Sequence, residues 1–362
     1  MASPGGGAER VLADVASGLA ERGHSVTLIS FDAAYDCSFY SLSPQVYWKH
    51  VDVGFINKRA TVLDLLQRAW ALRQSVRNLN PKVTVGFMSS AYVPLAIALL
   101  GTRTPLVASE HIVPEYYRTR RLEQALVFAS MLICRLTTVV SDQVLSAFPR
   151  MLRNRLRVVH NPVTLRGDDA SNDPATEGGT GRKTLLSVGR LEPQKDHSTL
   201  ITAFCQIADD FPDWDLRIVG EGALRSDLEA QIARAGLQNR VSLVGVRSDI
   251  SREYASAQCF VMPSRYESLG VAAAEAISHG LPAVGFADCL GVNQLITEGV
   301  NGRLVPANEC RVEGLARILG ELMADPIYRL SLAGGEATLP HHVYLERVLD
   351  RWEKILREAA PE

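Results

Sequence analysis

Glu267 and Glu275 stand eight residues apart in Pro263-Ser264-Arg265-Tyr266-Glu267-Ser268-Leu269-Gly270-Val271-Ala272-Ala273-Ala274-Glu275-Ala276. The apolar run Cys259 to Met262 leads into a Pro-Ser break, and an Ala-rich stretch follows Gly270. This order predicts strand, turn and helix N-terminus, a geometry that offers an anion free backbone N–H groups and the positive end of a helix dipole. Glu267 is expected at the mouth of such a site. Glu275, about two turns into the helix, can reach a group lying over its first turns. The plainer alternative is a first-turn acid favoured by the dipole and a surface residue.

A second cluster, Ser187-Val188-Gly189-Arg190-Leu191-Glu192-Pro193-Gln194-Lys195-Asp196, also follows an apolar run. Arg190 supplies a planar fork of donors and Lys195 a compact ammonium. Together they suit a pyrophosphate whose leaving oxygen gains charge as a bond breaks. Isolated, two cations five apart would favour a solvated basic loop. Val219-Gly220-Glu221-Gly222 and Val244-Gly245-Val246-Arg247-Ser248-Asp249 are two further loops at strand ends, readable as plain turns. Gly5, Gly6 and Gly7 allow close backbone approach at a helix start, but they fail the G-x-G-x-x-G spacing of a dinucleotide site. His111 ends the run Leu106 to Ser109 and Glu110, where a side chain is expected at the ligand-binding edge of a sheet. His341 and His342 are adjacent and lack an acidic cluster with metal-ligand spacing, so no metal is assigned.

The elements that must hold these residues alternate in period. Ala8 to Arg22 has a helical apolar face closed by Gly23, and Leu63 to Leu79 is a second helix ending at Asn80-Pro81. Strands are expected at Ser25–Phe31, Val83–Met88, Leu106–Ser109, Thr137–Ser141 and Leu156–His160 in the first half. In the second half they are expected at Thr184–Val188, Asp215–Val219, Val241–Val244, Cys259–Met262 and Ala283–Phe286. Such alternation implies parallel sheets covered by helices on both faces. Residues 166–182 are polar and Gly-rich and read as a linker between a domain over 1–165 and one over 183–342, with a terminal helix over 343–362. A doubly wound domain normally places a strand ahead of its first Gly-rich turn. None precedes Gly5, so the first sheet is expected to lack its first strand.

A chain of 362 residues, 47% apolar, can bury two cores. Residues 1–165 hold 18 Lys+Arg against 11 Asp+Glu and the remainder 20 against 29, so a basic half adjoins an acidic one. The basic half suggests an anionic partner. Its dense places are Tyr116-Tyr117-Arg118-Thr119-Arg120-Arg121, then Arg150, Arg153, Arg155 and Arg157, and Arg68, Arg73 and Arg77 beside Trp70. Arginines among aromatic residues suit an anionic membrane interface. No nucleic-acid-binding motif is present. No apolar run approaches the roughly 20 residues that span a bilayer. The six cysteines form no CxxC pair, which points to reduced thiols in a cytosolic setting.

The carboxylate pair resembles the E-x7-E signature of family 4 retaining glycosyltransferases. Gly189-Arg190-Leu191 with Lys195 is similar to that family's G-R-L…K element, and Val219 to Gly222 to its V-G-x-G turn. The resemblance implies a GT-B fold of two Rossmann-like domains facing across a cleft, with an acceptor-binding first domain and a nucleotide-sugar-binding second. It implies roles near the reaction for His111, Arg190, Lys195 and Glu267. It places Gly6, Gly7, Gly220, Gly222, Arg247, Ser268, Leu269, Gly270, Val271 and Glu275 around the donor, Glu275 on the ribose. The activity implied is retaining transfer of a sugar from a nucleotide diphosphate, UDP favoured, with no metal or other cofactor. The implied acceptor is a lipid-linked saccharide, a polyprenyl-diphosphate glycan in polysaccharide synthesis, at the inner face of the cell membrane. Two alternatives stay open, a nucleotide-sugar epimerase of the same fold and a non-catalytic nucleotide-sugar-binding relative.

Overall fold

A computed structural model describes residues 7–31, 40–51, 62–118, 120–163, 181–247, 249–334 and 338–361. Gly5, Gly6, Ser248 and linker residues 166–180 lie outside these. The chain divides into two units, one of Met1–Pro162 with His342–Glu362, the other of Val163–His341.

The first unit contains β1 (Thr27–Ser30), β2 (Tyr47–His50), β3 (Thr84–Phe87), β4 (Leu106–Glu110), β5 (Leu136–Val139) and β6 (Leu156–Val158). All pairings are parallel, but the strands form two pieces, β1-β2 and β3-β4-β5-β6. Helix Gly7–Glu21 packs on both pieces. Its Ala13, Ala16 and Ala20 meet Leu28 and Val46, while Val11, Val15 and Leu19 meet Val107 and Leu136. The helix stops in a left-handed turn at Gly23 (φ 88), with Gly23 N–H bonded to Ala20 O and His24 N–H to Leu19 O. The terminal helix Leu345–Ala359 lays Val348, Leu349, Trp352 and Ile355 into the same core. Each such side chain fully removed from water contributes about 1.5–3 kcal/mol. Gly18 allows this crossing, since a Cβ there would lie 2.5 Å from Leu349 Cδ1.

The second unit holds one six-stranded sheet in the order β12-β11-β10-β7-β8-β9, parallel throughout. Its strands are β7 (Lys183–Val188), β8 (Trp214–Val219), β9 (Val241–Leu243), β10 (Cys259–Val261), β11 (Ala283–Phe286) and β12 (Gly302–Val305). The central ones carry apolar stretches, with Leu185, Leu186, Phe260, Val261, Ala283 and Val284 wholly buried. That pattern follows from helices covering both faces. The strand order runs from β7 outward through β8 and β9, then restarts beside β7 with β10. The crevice at such a reversal is where open α/β sheets bind ligands.

Candidate active site

Because β10 pairs with β7 (Cys259 opposite Leu185, Phe260 opposite Leu186), the loops leaving those strands are neighbours. Lys195 Nζ lies 2.5 Å from Glu267 Oε1, and Ser264 Oγ donates to the same oxygen at 2.7 Å. The two charged side chains are only 16% and 8% exposed. This is therefore a largely buried pair, in which losing one partner strands the other's charge, unlike an exposed bridge worth under about 1 kcal/mol. Arg190 stands at the rim, 55% exposed, and bonds Glu192 at 2.9 Å. An exposed pairing of that kind exchanges readily for another anion.

The helix after Glu267 spans Val271–Ser278, with Gly270 (φ 71, ψ 46) before it in the left-handed region. Glu267 is therefore not a first-turn acid. It lies ahead of the helix, in the loop, and is 7% exposed. Glu275 is about one turn into the helix rather than two. It is not a surface residue either, being 5% exposed and accepting a hydrogen bond from Tyr254 Oη at 3.0 Å. Leu269 is fully buried. Ser268 and Val271 are half-buried beside it.

Gly220 and Gly222 are fixed by the protein's own backbone. Gly220 has φ 145, and a Cβ on it would fall 2.1 Å from Gly189 O; a Cβ on Gly222 would fall 2.4 Å from Leu191 O. The loops after β7 and β8 thus interlock, tied by Gly189 N–H to Val219 O and Leu191 N–H to Glu221 O. Arg247 shares the Glu253 carboxylate, at 3.3 Å, with Arg217, whose guanidinium holds both oxygens. Two contributors carried no assigned role in the sequence reading. Ser264 steadies Glu267, and Gly291 lets its turn lie on the loop backbone, where a Cβ would be 2.6 Å from Glu267 O. The available signal was a glycine soon after a strand end, the same pattern that marked Gly220.

His111 and Gly7 belong to the first unit. Gly7 opens the first helix, and a Cβ there would meet nothing within 4 Å, so packing does not demand glycine. His111 Nε2 lies 2.9 Å from Ser109 Oγ, and its ring stacks on Phe87. Burial holds its pKa down at about 4, which leaves a neutral imidazole near neutrality. The neighbouring Glu110 is wholly buried and accepts from Tyr92 Oη, from Tyr117 Oη at 3.2 Å and from Ile112 N–H at 2.8 Å. Burial outweighs these donors and raises its carboxyl to about 7. A pKa raised on folding gives stability that is complete below the unfolded value of 4.5 and lost as pH rises through about 7. The amount is up to roughly 3 kcal/mol. Relative to Glu110→Gln, the wild type should therefore lose stability between about pH 5 and pH 8 in denaturant titrations. Parallel pH profiles for the two proteins would refute this.

The basic clusters of the first unit are largely structural. Arg73 bonds Ala98 O and Leu100 O, Arg153 bonds Phe148 O, and Arg155 bonds Leu132 O, each at a helix end. Arg157 pairs with Glu358. Their donors neutralise carbonyls left over by those helices. Arg77, Arg118, Arg120, Arg121, Arg150 and Arg155 remain exposed. Among the described residues, no cluster of His, Cys, Asp and Glu could hold a metal ion, and no helix is long and apolar enough to cross a membrane.

Residues 5–166 match the family model described as Glycosyltransferase Family 4, and residues 169–334 match Glycosyl transferases group 1. An uncharacterized glycosyltransferase of Haemophilus influenzae is 25% identical, covering 97% of this chain and 96% of its own. A second relative, from Campylobacter jejuni, is 23% identical over 98% of this chain and 95% of its own. It is the GalNAc-alpha-(1->4)-GalNAc-alpha-(1->3)-diNAcBac-PP-undecaprenol alpha-1,4-N-acetyl-D-galactosaminyltransferase. Among solved structures, Anabaena HepE in complex with UDP and glucose superposes with a TM-score of 0.79 at 21% identity, covering 99% and 97% of the two chains.

Proposed function

The chain belongs to the family 4 glycosyltransferases of GT-B fold, and we propose that it transfers a sugar from a UDP-sugar, with retention of configuration, to a hydroxyl of a polyprenyl-diphosphate-linked glycan. The observation that carries this is the Lys195–Glu267 pair at the sheet's reversal point, beside the Gly270 helix start. A diphosphate seated there would draw Lys195 and Arg190 to its β-phosphate, with backbone N–H groups of residues 268–270 alongside. Glu267, released from Lys195, would orient the sugar, and Glu275 would hold the ribose. His111, a neutral imidazole, and Gly6 and Gly7 are proposed to act in donor binding. Gly220, Gly222 and Arg247 would border the nucleotide.

The bond from C1 to the phosphate oxygen breaks, and its electron pair stays on the β-phosphate. The acceptor oxygen bonds C1 on the same face, and its proton passes to the departing phosphate. The cations carry the charge, so no metal ion is required. Support for UDP comes from the ligand of the Anabaena structure, and support for the acceptor from the name of the Campylobacter relative.

Helix Arg121–Ile133 exposes Leu122, Leu126 and Ile133 along one face, with Arg118, Arg120 and Arg121 at its start. This face would rest on an anionic membrane at the cytoplasmic side, each cation adding about 1 kcal/mol near the surface. The test is a turnover screen of UDP- and GDP-sugars in EDTA, with the lipid-linked acceptor presented in phosphatidylglycerol vesicles at low salt. Acceptor-dependent turnover of a UDP-sugar, with protein sedimenting on the vesicles, is expected. A strict Mg²⁺ or Mn²⁺ requirement would remove the metal-free mechanism. Donor conversion without acceptor would favour an epimerase, and protein left in the supernatant would remove the membrane contact.

A further inference from the structure

We infer that Arg311 is a positioning residue for this reaction, holding the Glu267 loop and the Lys195 loop in register from below; the inference rests on the function proposed above. Arg311 opens helix Arg311–Ala324. Its Nη2 donates to Pro263 O at 2.8 Å and Ser264 O at 3.0 Å, and its Nη1 to Asp288 Oδ1 at 3.1 Å. Its Nε lies 3.6 Å from Asp196 Oδ2, and its guanidinium carbon sits 3.5 Å from the centre of the Phe286 ring. One cation thus touches the residues at or beyond the C-terminal ends of β7, β10 and β11, which are adjacent in the sheet.

Both ends of the reactive pair are one step away. Asp196 follows Lys195 in the chain, is 6% exposed, and is held in a left-handed conformation at φ 51. Ser264, whose carbonyl Arg311 binds, donates its hydroxyl to Glu267. A cation in a helix's first turn is opposed by the helix dipole, so Arg311 is not placed there to stabilise its own helix. Its planar fork is what spans two carbonyls and a carboxylate at once, and a lysine cannot reproduce that arrangement. Arg265 adds a second cation to Asp196 at 3.2 Å, but from the solvent side, with 58% of its side chain exposed.

The experiment compares Arg311→Met with Arg317→Met, a control on the same helix whose side chain pairs outside the site with Glu309 and Glu321. For Arg311→Met, kcat should fall about a hundredfold, the scale of a misplacement near 1 Å. KM for the donor should change far less, and the control should match wild type. Hydrogen exchange of the 263–270 amides, measured without any donor, should speed up in Arg311→Met and not in Arg317→Met. Should Arg311→Met not fold, Arg311→Lys takes its place with the same expectations. Unchanged exchange in the loop overturns the inference whatever the protein's activity. Faster exchange with kcat near wild type also overturns it. Absence of turnover in the wild type, with the exchange difference present, would instead refute the proposed function and leave the loop-holding role standing.

Discussion

Lys195→Ala is expected to lower turnover by about two to three orders of magnitude, the scale of losing one donor to a developing oxyanion. The same change leaves Glu267 buried, accepting from Ser264 Oγ without its cation, which costs up to roughly 3–5 kcal/mol of stability. The two losses separate in the double variant Lys195→Ala with Glu267→Gln. Removing the stranded charge should return most of the melting temperature and none of the turnover. Recovery of both together would mean that Lys195 serves the fold and not the phosphate. Arg190→Ala should lower turnover on a similar scale with little change in melting, because its side chain is exposed and leaves no buried partner.

The second large effect is expected from Gly220→Ala. The new Cβ would fall 2.1 Å from Gly189 O, and φ 145 is a conformation that L side chains rarely adopt. Strain in the left-handed half of φ space and overlap with backbone each cost about 1–3 kcal/mol, so the second unit should lose about 3 kcal/mol or more. The carbonyl that must move belongs to the loop bearing Arg190 and Lys195, so turnover should fall about a hundredfold as well. Gly299→Ala is the control. Gly299 has φ 74 and nothing within 4 Å of an added Cβ, so it should lose only the conformational part, about 1–2 kcal/mol. Equal losses at the two glycines would show that the interlock between the loops carries no weight.

The second unit was the more legible in sequence, for a physical reason. Leu185, Leu186, Phe260 and Val261 are wholly buried, so consecutive apolar residues mark the middle of their strands. Two strands escaped. Tyr47-Trp48-Lys49-His50 is half-exposed and pairs with a single neighbour, and Gly302-Arg303-Leu304-Val305 is an edge strand that begins on glycine. Lys195 and Glu267 were each visible as a charged residue after a strand, but their contact was not. It depends on β10 pairing with β7 although β8 and β9 intervene in the chain, and strand order is a tertiary choice. The carbonyl partners of Arg153 and Arg155 were not legible, because carbonyls have no signature in side-chain pattern. The burial of Leu269 was not legible, because a loop residue beside charged neighbours gives no sign of lying in the core.

Calorimetric titration of UDP and of uridine into the wild type and Lys195→Ala tests the diphosphate clamp most directly. A charge-assisted hydrogen bond to a phosphate is worth about 1.5–3 kcal/mol, so UDP affinity should fall roughly tenfold to a hundredfold in the variant. Uridine, which lacks the diphosphate, should bind both proteins equally and more weakly than UDP binds the wild type. Equal affinity of UDP for the two proteins would contradict the placement of the diphosphate at Lys195.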